Sequence, residues 1–304
     1  MITEVGKDII RLLLYSDIFK YPLKSSEIYS RLRRNGIGIN IFEKELHKLV
    51  EEHRVNEVEG YFLLENNIDF VKSRKEANAN ASLMLLRAYK KAKLISNFPF
   101  VRAVFLSGSI SKGYADKKSD IDYFIITKPG RLWIARTLLI MYKKIFLLNS
   151  YKYFCLNYFV DQDHLEIDDR NIFTATELTT LIPVCNIEEY NRLCDSNPWV
   201  INYYPHFHRK SAEDLMKRSV KFKNFIESVL NRKFGDFIDN YFMKQTIKFI
   251  NPKLDKLIKK GIKPGIVFKK HVCKYHRNSF RDSILEAYQN KVYEFENRYK
   301  LSLT

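Results

Sequence analysis

The sequence lacks any apolar run close to the roughly 20 residues that a membrane-spanning helix requires. Its first residues lack both a basic start and a small-residue cleavage site, so they are not expected to be a signal peptide. The four cysteines have no C-x-x-C spacing, which gives no indication of a zinc site or a disulfide framework: Cys155, Cys185, Cys194 and Cys273. Together these absences predict a cytoplasmic protein with no membrane partner.

Acidic residues are also scarce relative to basic ones. The 304 residues include 52 Lys and Arg against 35 Asp and Glu, a net charge of +17, and residues 201–304 hold 23 of the basic and 10 of the acidic residues. Such a basic segment would attract RNA, DNA or a nucleoside triphosphate. Many of its lysines, however, alternate with apolar residues at helical spacing, and this pattern fits a solvated helix face equally well.

Apolar spacing divides the chain into four parts. Residues 1–65 predict three helices, over about 5–17, 25–32 and 40–50, followed by a hairpin at Glu59-Gly60, which is typical of a winged helix. Residues 66–97 predict a connecting helix, residues 98–205 an α+β core, and residues 206–304 a basic helical region that is interrupted near its prolines. The predicted fold class is therefore α+β multidomain, with a small mixed-sheet core flanked by a winged helix and a helical region.

A glycine-serine turn follows an apolar strand in the core. The strand ends at Leu106, and Ser107-Gly108-Ser109 turns into a predicted helix N-terminus. Free backbone N–H groups and the Ser109 hydroxyl at such a turn can hold phosphate oxygens, and Gly108 allows a triphosphate to approach the backbone. Lys112, three residues after Ser109, is a further candidate for nucleotide binding.

Two aspartates begin the next apolar segment. Asp120 and Asp122 are two residues apart, so on a strand both carboxylates point to one side while Ile121 points into the core. Two adjacent carboxylates repel each other unless a cation lies between them, and carboxylate oxygens are the ligands that Mg²⁺ prefers. These aspartates are the predicted catalytic and metal-binding residues.

Residues 101–126 resemble the signature of the DNA polymerase β-type nucleotidyltransferase superfamily: an apolar strand, Gly-Ser, a spacer, and Asp-apolar-Asp-apolar. The chain is also similar to bacterial nucleotidyltransferase-domain proteins with an N-terminal winged helix, in runs such as LLYSDIF, SDIDYFIIT and KPGRLW. The resemblance implies transfer of a nucleoside monophosphate from an NTP to an acceptor hydroxyl, with two Mg²⁺ ions and release of pyrophosphate. The acceptor stays open between RNA, a protein and a small molecule.

The superfamily uses a third carboxylate on a later strand, and here that residue type is missing. The candidate strand covers residues 153–160, and the position expected to face the aspartate pair is Asn157. Asp161, Asp163 and Glu166 lie close enough in sequence to replace the missing charge. Without a replacement, the chain would be a pseudoenzyme or a nucleotide-binding regulator whose winged helix binds DNA or protein. The mixed charge of the third helix favours protein over DNA.

One short C-terminal segment concentrates basic residues. It is a candidate site for a phosphate-bearing acceptor or for the triphosphate, although a solvated helix face would have the same composition. Its members are Lys269, Lys270, His271, Lys274, His276, Arg277 and Arg281.

Overall fold

The computed structural model describes residues 2–148, 150, 152–211, 221–261, 265–276 and 280–303. Two β-sheets organise this part of the chain, a small one of three strands and a larger one of six.

The N-terminal unit contains the predicted three helices followed by a hairpin, together with a short strand between the first two helices that the sequence did not predict. Its helices and strands are α1 (Glu4–Asp17), β1 (Leu23–Lys24), α2 (Ser25–Tyr29), α3 (Ile39–Glu51), β2 (Asn56–Val58) and β3 (Tyr61–Leu63). The strands form an antiparallel sheet in the order β1-β3-β2. Glu59 and Gly60 both have positive φ, as a two-residue hairpin turn requires. Phe42, Leu46 and Leu49 of α3 are buried against α1, because their spacing places them on one face of the helix.

The helix α4 (Ile68–Ser96) joins this unit to the larger sheet. Asn67 caps its N-terminus by accepting a hydrogen bond from the amide of Asp69. Arg74, only 4% exposed, pairs with Glu27 at 2.7 Å. Asn78 of the same helix donates to the carbonyl of Gly113 in the core. A single helix therefore connects the N-terminal unit with the loop that follows the glycine-serine turn.

The six-stranded sheet is mixed, as predicted, and has the order β7-β4-β5-β6-β9-β8. Among the described strands of this sheet, β5 and β6 are the one pair that is parallel, and the other neighbouring pairs are antiparallel. The strands are β4 (Val101–Ser107), β5 (Asp122–Thr127), β6 (Cys155–Asp161), β7 (Ile182–Cys185), β8 (Gly265–Phe268) and β9 (Val272–His276).

Helices cover both faces of this sheet. The parallel pair β5–β6 needs a crossover connection, which α6 (Leu132–Phe146) supplies. On that face Tyr123 and Ile125 pack with Trp133 and Leu139 of α6. On the other face Phe105 and Phe124 pack with Tyr190, and the helices that follow the core strands are α5 (Gly108–Ser111), α7 (Ile172–Thr180) and α8 (Ile187–Asp195).

The C-terminal third differs from the separate helical region that its composition predicts. Its helices are α9 (Lys221–Leu230), α10 (Lys233–Lys259) and α11 (Phe280–Tyr299). Between α10 and α11, β8 and β9 extend the core sheet, and Phe295 of α11 is buried in the N-terminal core. These elements come after the core in the sequence, but in the folded protein they form part of it. Composition alone does not show that they pack there.

The helix α10 also continues through Pro252, where the sequence predicted an interruption. A proline inside a helix leaves the carbonyl four residues earlier without its donor. That carbonyl belongs to Lys248, which is exposed, so water can satisfy it. Among the residues the structure covers, none of the helices has the length and apolar character needed to cross a bilayer.

Candidate active site

The pairing of three strands brings the predicted residues to one end of the larger sheet. Ser107 of β4 lies opposite Asp122 of β5, and Asp122 lies opposite Cys155 of β6. We call this the aspartate end. The opposite end, called the far end, is where Thr127 lies between Val101 and Asp161.

Gly108 stands directly behind Asp122. Its φ is +68°, a conformation that residues with a side chain rarely adopt. A Cβ atom at this position would overlap the Oδ2 atom of Asp122. The sequence suggested a different use of this glycine, the close approach of a triphosphate. In the structure the carboxylate itself occupies the space, so a side chain at position 108 would displace Asp122.

Asp120, Asp122 and Cys155 converge at the aspartate end. One ligand atom from each, a carboxylate oxygen or the sulfur, lies within 4.8 Å of the other two. Asp120 itself precedes β5, because that strand begins only at Asp122. Ile121 nevertheless donates to the carbonyl of Lys152 and accepts from the amide of Cys155, at 3.0 Å each. This pairing with the chain entering β6 keeps both aspartates directed to the same site.

Like charges dominate the electrostatics of the pair, and the nearby Lys112 ammonium offsets them only in part. Burial and the neighbouring Asp120 raise the pKa of Asp122 to about 7, and Glu177 adds to this effect. Burial and the two carboxylates likewise raise the pKa of the Cys155 thiol. A divalent cation between these groups would relieve the repulsion, and two carboxylate oxygens at this spacing fit such an ion.

Asn157 occupies a β-bulge beside the pair. Tyr123 lies opposite Leu156 and Phe124 lies opposite Tyr158, so Asn157 is the extra residue on β6. Its Nδ2 group donates to Oδ1 of Asp122, and its Oδ1 atom accepts from the Cys155 thiol at 3.2 Å. Asn157 thus faces the aspartates, supplies no charge, and orients Asp122 through a hydrogen bond.

The three acids considered as replacements lie elsewhere. Asp161 is at the far end, six residues along β6 from Cys155, which corresponds to roughly 20 Å. It accepts from the amide of Asp163 and pairs with His164 at 2.6 Å, while Glu166 pairs with Arg170. None of the three belongs to the converging group found among the described residues.

Two groups at the site carried no signal in the sequence. Cys155 is a lone cysteine without a metal-ligand spacing; only its position two residues before Asn157 on the strand next to β5 could have indicated it. Glu177 comes from α7, far away in sequence. The Lys112 ammonium lies 2.7 Å from Glu177 and 3.0 Å from the carbonyl of Gly108. Lys112, predicted to bind nucleotide, therefore holds the turn against α7 in this structure.

The predicted C-terminal basic segment is largely paired with acids. Lys270 binds Asp239 at 2.9 Å, and Lys274 and Arg281 both pair with Asp169. Lys269 lies 3.9 Å from Asp168, and the His271 ring stacks on His164. Arg277 and the side chain of His276 lie outside the described residues. The local charge here is nearer to neutral than the sequence suggests, because the acidic partners come from other elements.

A second set of lysines runs from the middle of α10 to the residue that caps its C-terminus. All six are exposed, and none forms an ion pair with another residue that the structure describes: Lys244, Lys248, Lys253, Lys256, Lys259 and Lys260. We call this set the α10 lysines. Phe249 stands exposed among them, with the Lys253 ammonium 3.9 Å from its ring centroid.

Contacts with α6 show where the α10 lysines lie. Asp239 accepts a hydrogen bond from the amide of Ile134 at the start of α6, and Phe249 lies 5.9 Å from Lys144 near its end. The two helices therefore run in the same direction. The preceding residue, Lys143, is close enough to Cys155 and Asp120 for both to oppose the lowering of its pKa by burial. The α10 lysines thus lie towards the aspartate end.

A comparison with protein families agrees with this geometry. The family model of the nucleotidyltransferase domain matches residues 90–184. That segment contains Gly108, Asp120, Asp122 and Cys155, together with strands β4, β5 and β6. Searches of curated proteins and of solved structures gave no match. Residues 90–184 are therefore a nucleotidyltransferase domain of the DNA polymerase β-type superfamily.

Proposed function

We propose that this protein transfers a nucleoside monophosphate from an NTP to an acceptor hydroxyl and releases pyrophosphate, using divalent metal ions, Mg²⁺ in the simplest case. The observation that carries the proposal is the convergence of Asp120 and Asp122 beside Gly108 within a nucleotidyltransferase domain. Their carboxylates would hold the metal, which on binding activates the acceptor hydroxyl and offsets the charge of the leaving group.

The surrounding residues would position the reactants. Asn157 holds Asp122 by a hydrogen bond, and Gly108 leaves room for its carboxylate. Within the described residues the Ser109 hydroxyl makes no hydrogen bond to protein, so it is available for a phosphate oxygen. Lys112 is near enough to the same turn to exchange Glu177 for a phosphate.

The α10 lysines support a polyanionic acceptor such as RNA. Their chain continues for ten residues, about 15 Å of helix, beyond the contact between Phe249 and Lys144. They are exposed, carry one sign of charge, and lie towards the aspartate end. A phosphate backbone bound there would gain favourable electrostatic energy and would place a terminal hydroxyl within reach of the metal-binding pair.

Labelled nucleotides test the proposal. Purified protein would be incubated with each α-labelled NTP and Mg²⁺ or Mn²⁺, with and without tRNA, and both transfer and pyrophosphate would be measured. The Asp120→Asn, Asp122→Asn double variant should be inactive. Asp163→Asn, which changes an exposed acid at the far end, should keep full activity. Full activity in the double variant would disprove the site, and a lack of label with every acceptor would count against the reaction.

The alternative is a nucleotide-binding regulator that does not turn over. Asn157 is the observation that favours it, because this residue supplies no third charge to the site. The N-terminal unit would then be the part that binds the regulated partner. The exposed face of α3 mixes Glu43, Lys44 and Glu51 with Ile41, which is 60% exposed, so a protein partner suits it better than DNA. Nucleotide binding by calorimetry without pyrophosphate release would favour this function.

A further inference from the structure

We infer that the sulfur of Cys155 is the third ligand of the metal centre and that the centre consequently prefers a borderline divalent cation, such as Zn²⁺ or Co²⁺, over Mg²⁺. The inference rests on the proposed function, since it assigns the ligands of the same site. It replaces the missing third carboxylate with a thiolate rather than with a distant acid.

Register and burial place the sulfur at the metal position. Cys155 lies directly opposite Asp122, and its sulfur is within 4.8 Å of a carboxylate oxygen of each aspartate. The residue is only 4% exposed. As a thiol, Cys155 donates a hydrogen bond to Asn157. As a thiolate beside two carboxylates it would need a divalent cation to offset the three like charges. The nucleotidyltransferase domain independently calls for a divalent ion at this place.

Asn157 is the competing ligand, and its orientation argues against it. The amide donates its Nδ2 group to Asp122 and accepts the Cys155 thiol at its oxygen. To present that oxygen to a metal, Asn157 would have to release Asp122. Cys155 gives up only its hydrogen bond to Asn157 and keeps its position: the Sγ–H bond breaks, the Sγ–metal bond forms, and the proton passes to solvent.

The ligand set then determines the choice of metal. Mg²⁺ prefers an all-oxygen octahedral shell, whereas thiolate sulfur favours Zn²⁺ and other softer ions. Two carboxylate oxygens and one sulfur form a mixed set suited to the borderline ions. The other buried cysteines, Cys185 and Cys273, belong to no comparable cluster of potential ligands in the described chain.

Cobalt provides a direct spectroscopic test. Co²⁺ added to the metal-free full-length protein should produce a thiolate-to-cobalt charge-transfer band in the near ultraviolet. Cys155→Ser should abolish this band and weaken Co²⁺ and Zn²⁺ binding by about tenfold or more, while leaving Mg²⁺ affinity within about threefold. Cys194→Ser, which alters a partly exposed cysteine on α8, is the matched control and should keep the band.

A carboxylate at the same position gives the converse result. Cys155→Asp should bind Mg²⁺ more tightly than the wild type and lose its preference for Zn²⁺, as measured by calorimetry. Bound Co²⁺ without a charge-transfer band in the wild type would overturn the inference, even if every variant misfolded. That result would leave the proposed reaction intact, whereas tight Co²⁺ binding by the Asp120→Asn, Asp122→Asn protein would disprove the metal site itself.

Discussion

The two ends of the six-stranded sheet differ in how their charged side chains are paired. At the far end Asp161 is paired with His164, and the fully buried Asp239 binds Lys270 and the amide of Ile134. At the aspartate end Asp120 and Asp122 face each other, and neither forms an ion pair with a described residue. In the first arrangement each buried charge has a partner that offsets part of its burial cost, although burial still raises the pKa of Asp239. The second places like charges together, and we attribute it to the proposed metal.

The largest expected effect is the loss of activity from the aspartate end. Asp122→Asn keeps the hydrogen bond from Asn157 but removes the charge that holds the metal. Nucleotidyl transfer should fall by about a thousandfold or more, since several kcal/mol of transition-state stabilisation depend on the ion. Steady-state pyrophosphate release measures this. A loss of less than tenfold would mean that the two ends do not differ in function.

The far end should give the largest change in stability. Asp239→Ala leaves the Lys270 ammonium and the Ile134 amide without their partner at the start of α6. The free energy of unfolding should fall by about 3 kcal/mol, as measured by urea denaturation. The matched change Asp163→Ala, at an exposed acid, should cost well under 1 kcal/mol. Equal losses of unfolding free energy in the two variants would show that Asp239 has no special structural role at the far end.

The pH dependence of stability separates the two ends further. The pKa of Asp122 in the folded protein, about 7, exceeds its ordinary value of 3.8. Between these values the folded chain keeps a proton that the unfolded chain has released, so stability falls as the pH rises from about 4 to 7. With metal removed by a chelator, the free energy of unfolding of the wild type should fall by about 3 kcal/mol more than that of Asp122→Asn over this range. Parallel pH profiles for the two proteins would show that the pKa of Asp122 is not raised in the folded protein.

The smallest expected effect concerns the two basic regions. Changing Lys253, Lys256 and Lys259 to Gln should weaken RNA binding about tenfold at 0.1 M salt and lower the salt slope by about two to three. The control changes Lys269, Lys274 and Arg281 to Gln at positions already paired with acids. It should alter the slope by about one or less. Fluorescence anisotropy over a salt series compares them, and equal slopes would refute the role of α10.

Local spacing was enough to predict much of the core. The apolar run before Ser107 and the glycine at position 108 predicted the strand-turn-strand unit. The alternation from Asp120 to Asp122 predicted that the two carboxylates meet, although Asp120 precedes the strand, and their metal-binding role stays a prediction. The order of elements in the N-terminal unit followed from helix spacing and from the turn at Glu59-Gly60. These features depend on neighbours within a few residues, which a single sequence displays.

The rest depended on contacts between residues far apart in the chain. Sequence alone singled out Asp120 and Asp122 as candidate metal ligands and the turn at Gly108-Ser109 as a candidate phosphate site. Only the tertiary structure decided that a strand bulge turns Asn157 towards Asp122 and that Cys155 joins the aspartates. It also decided that acids from other elements neutralise the segment around Lys270, whereas the α10 lysines stay unpaired. Charge and hydrogen-bond partners act through space, so their pairing is set by the sheet register and helix packing, which local spacing does not specify.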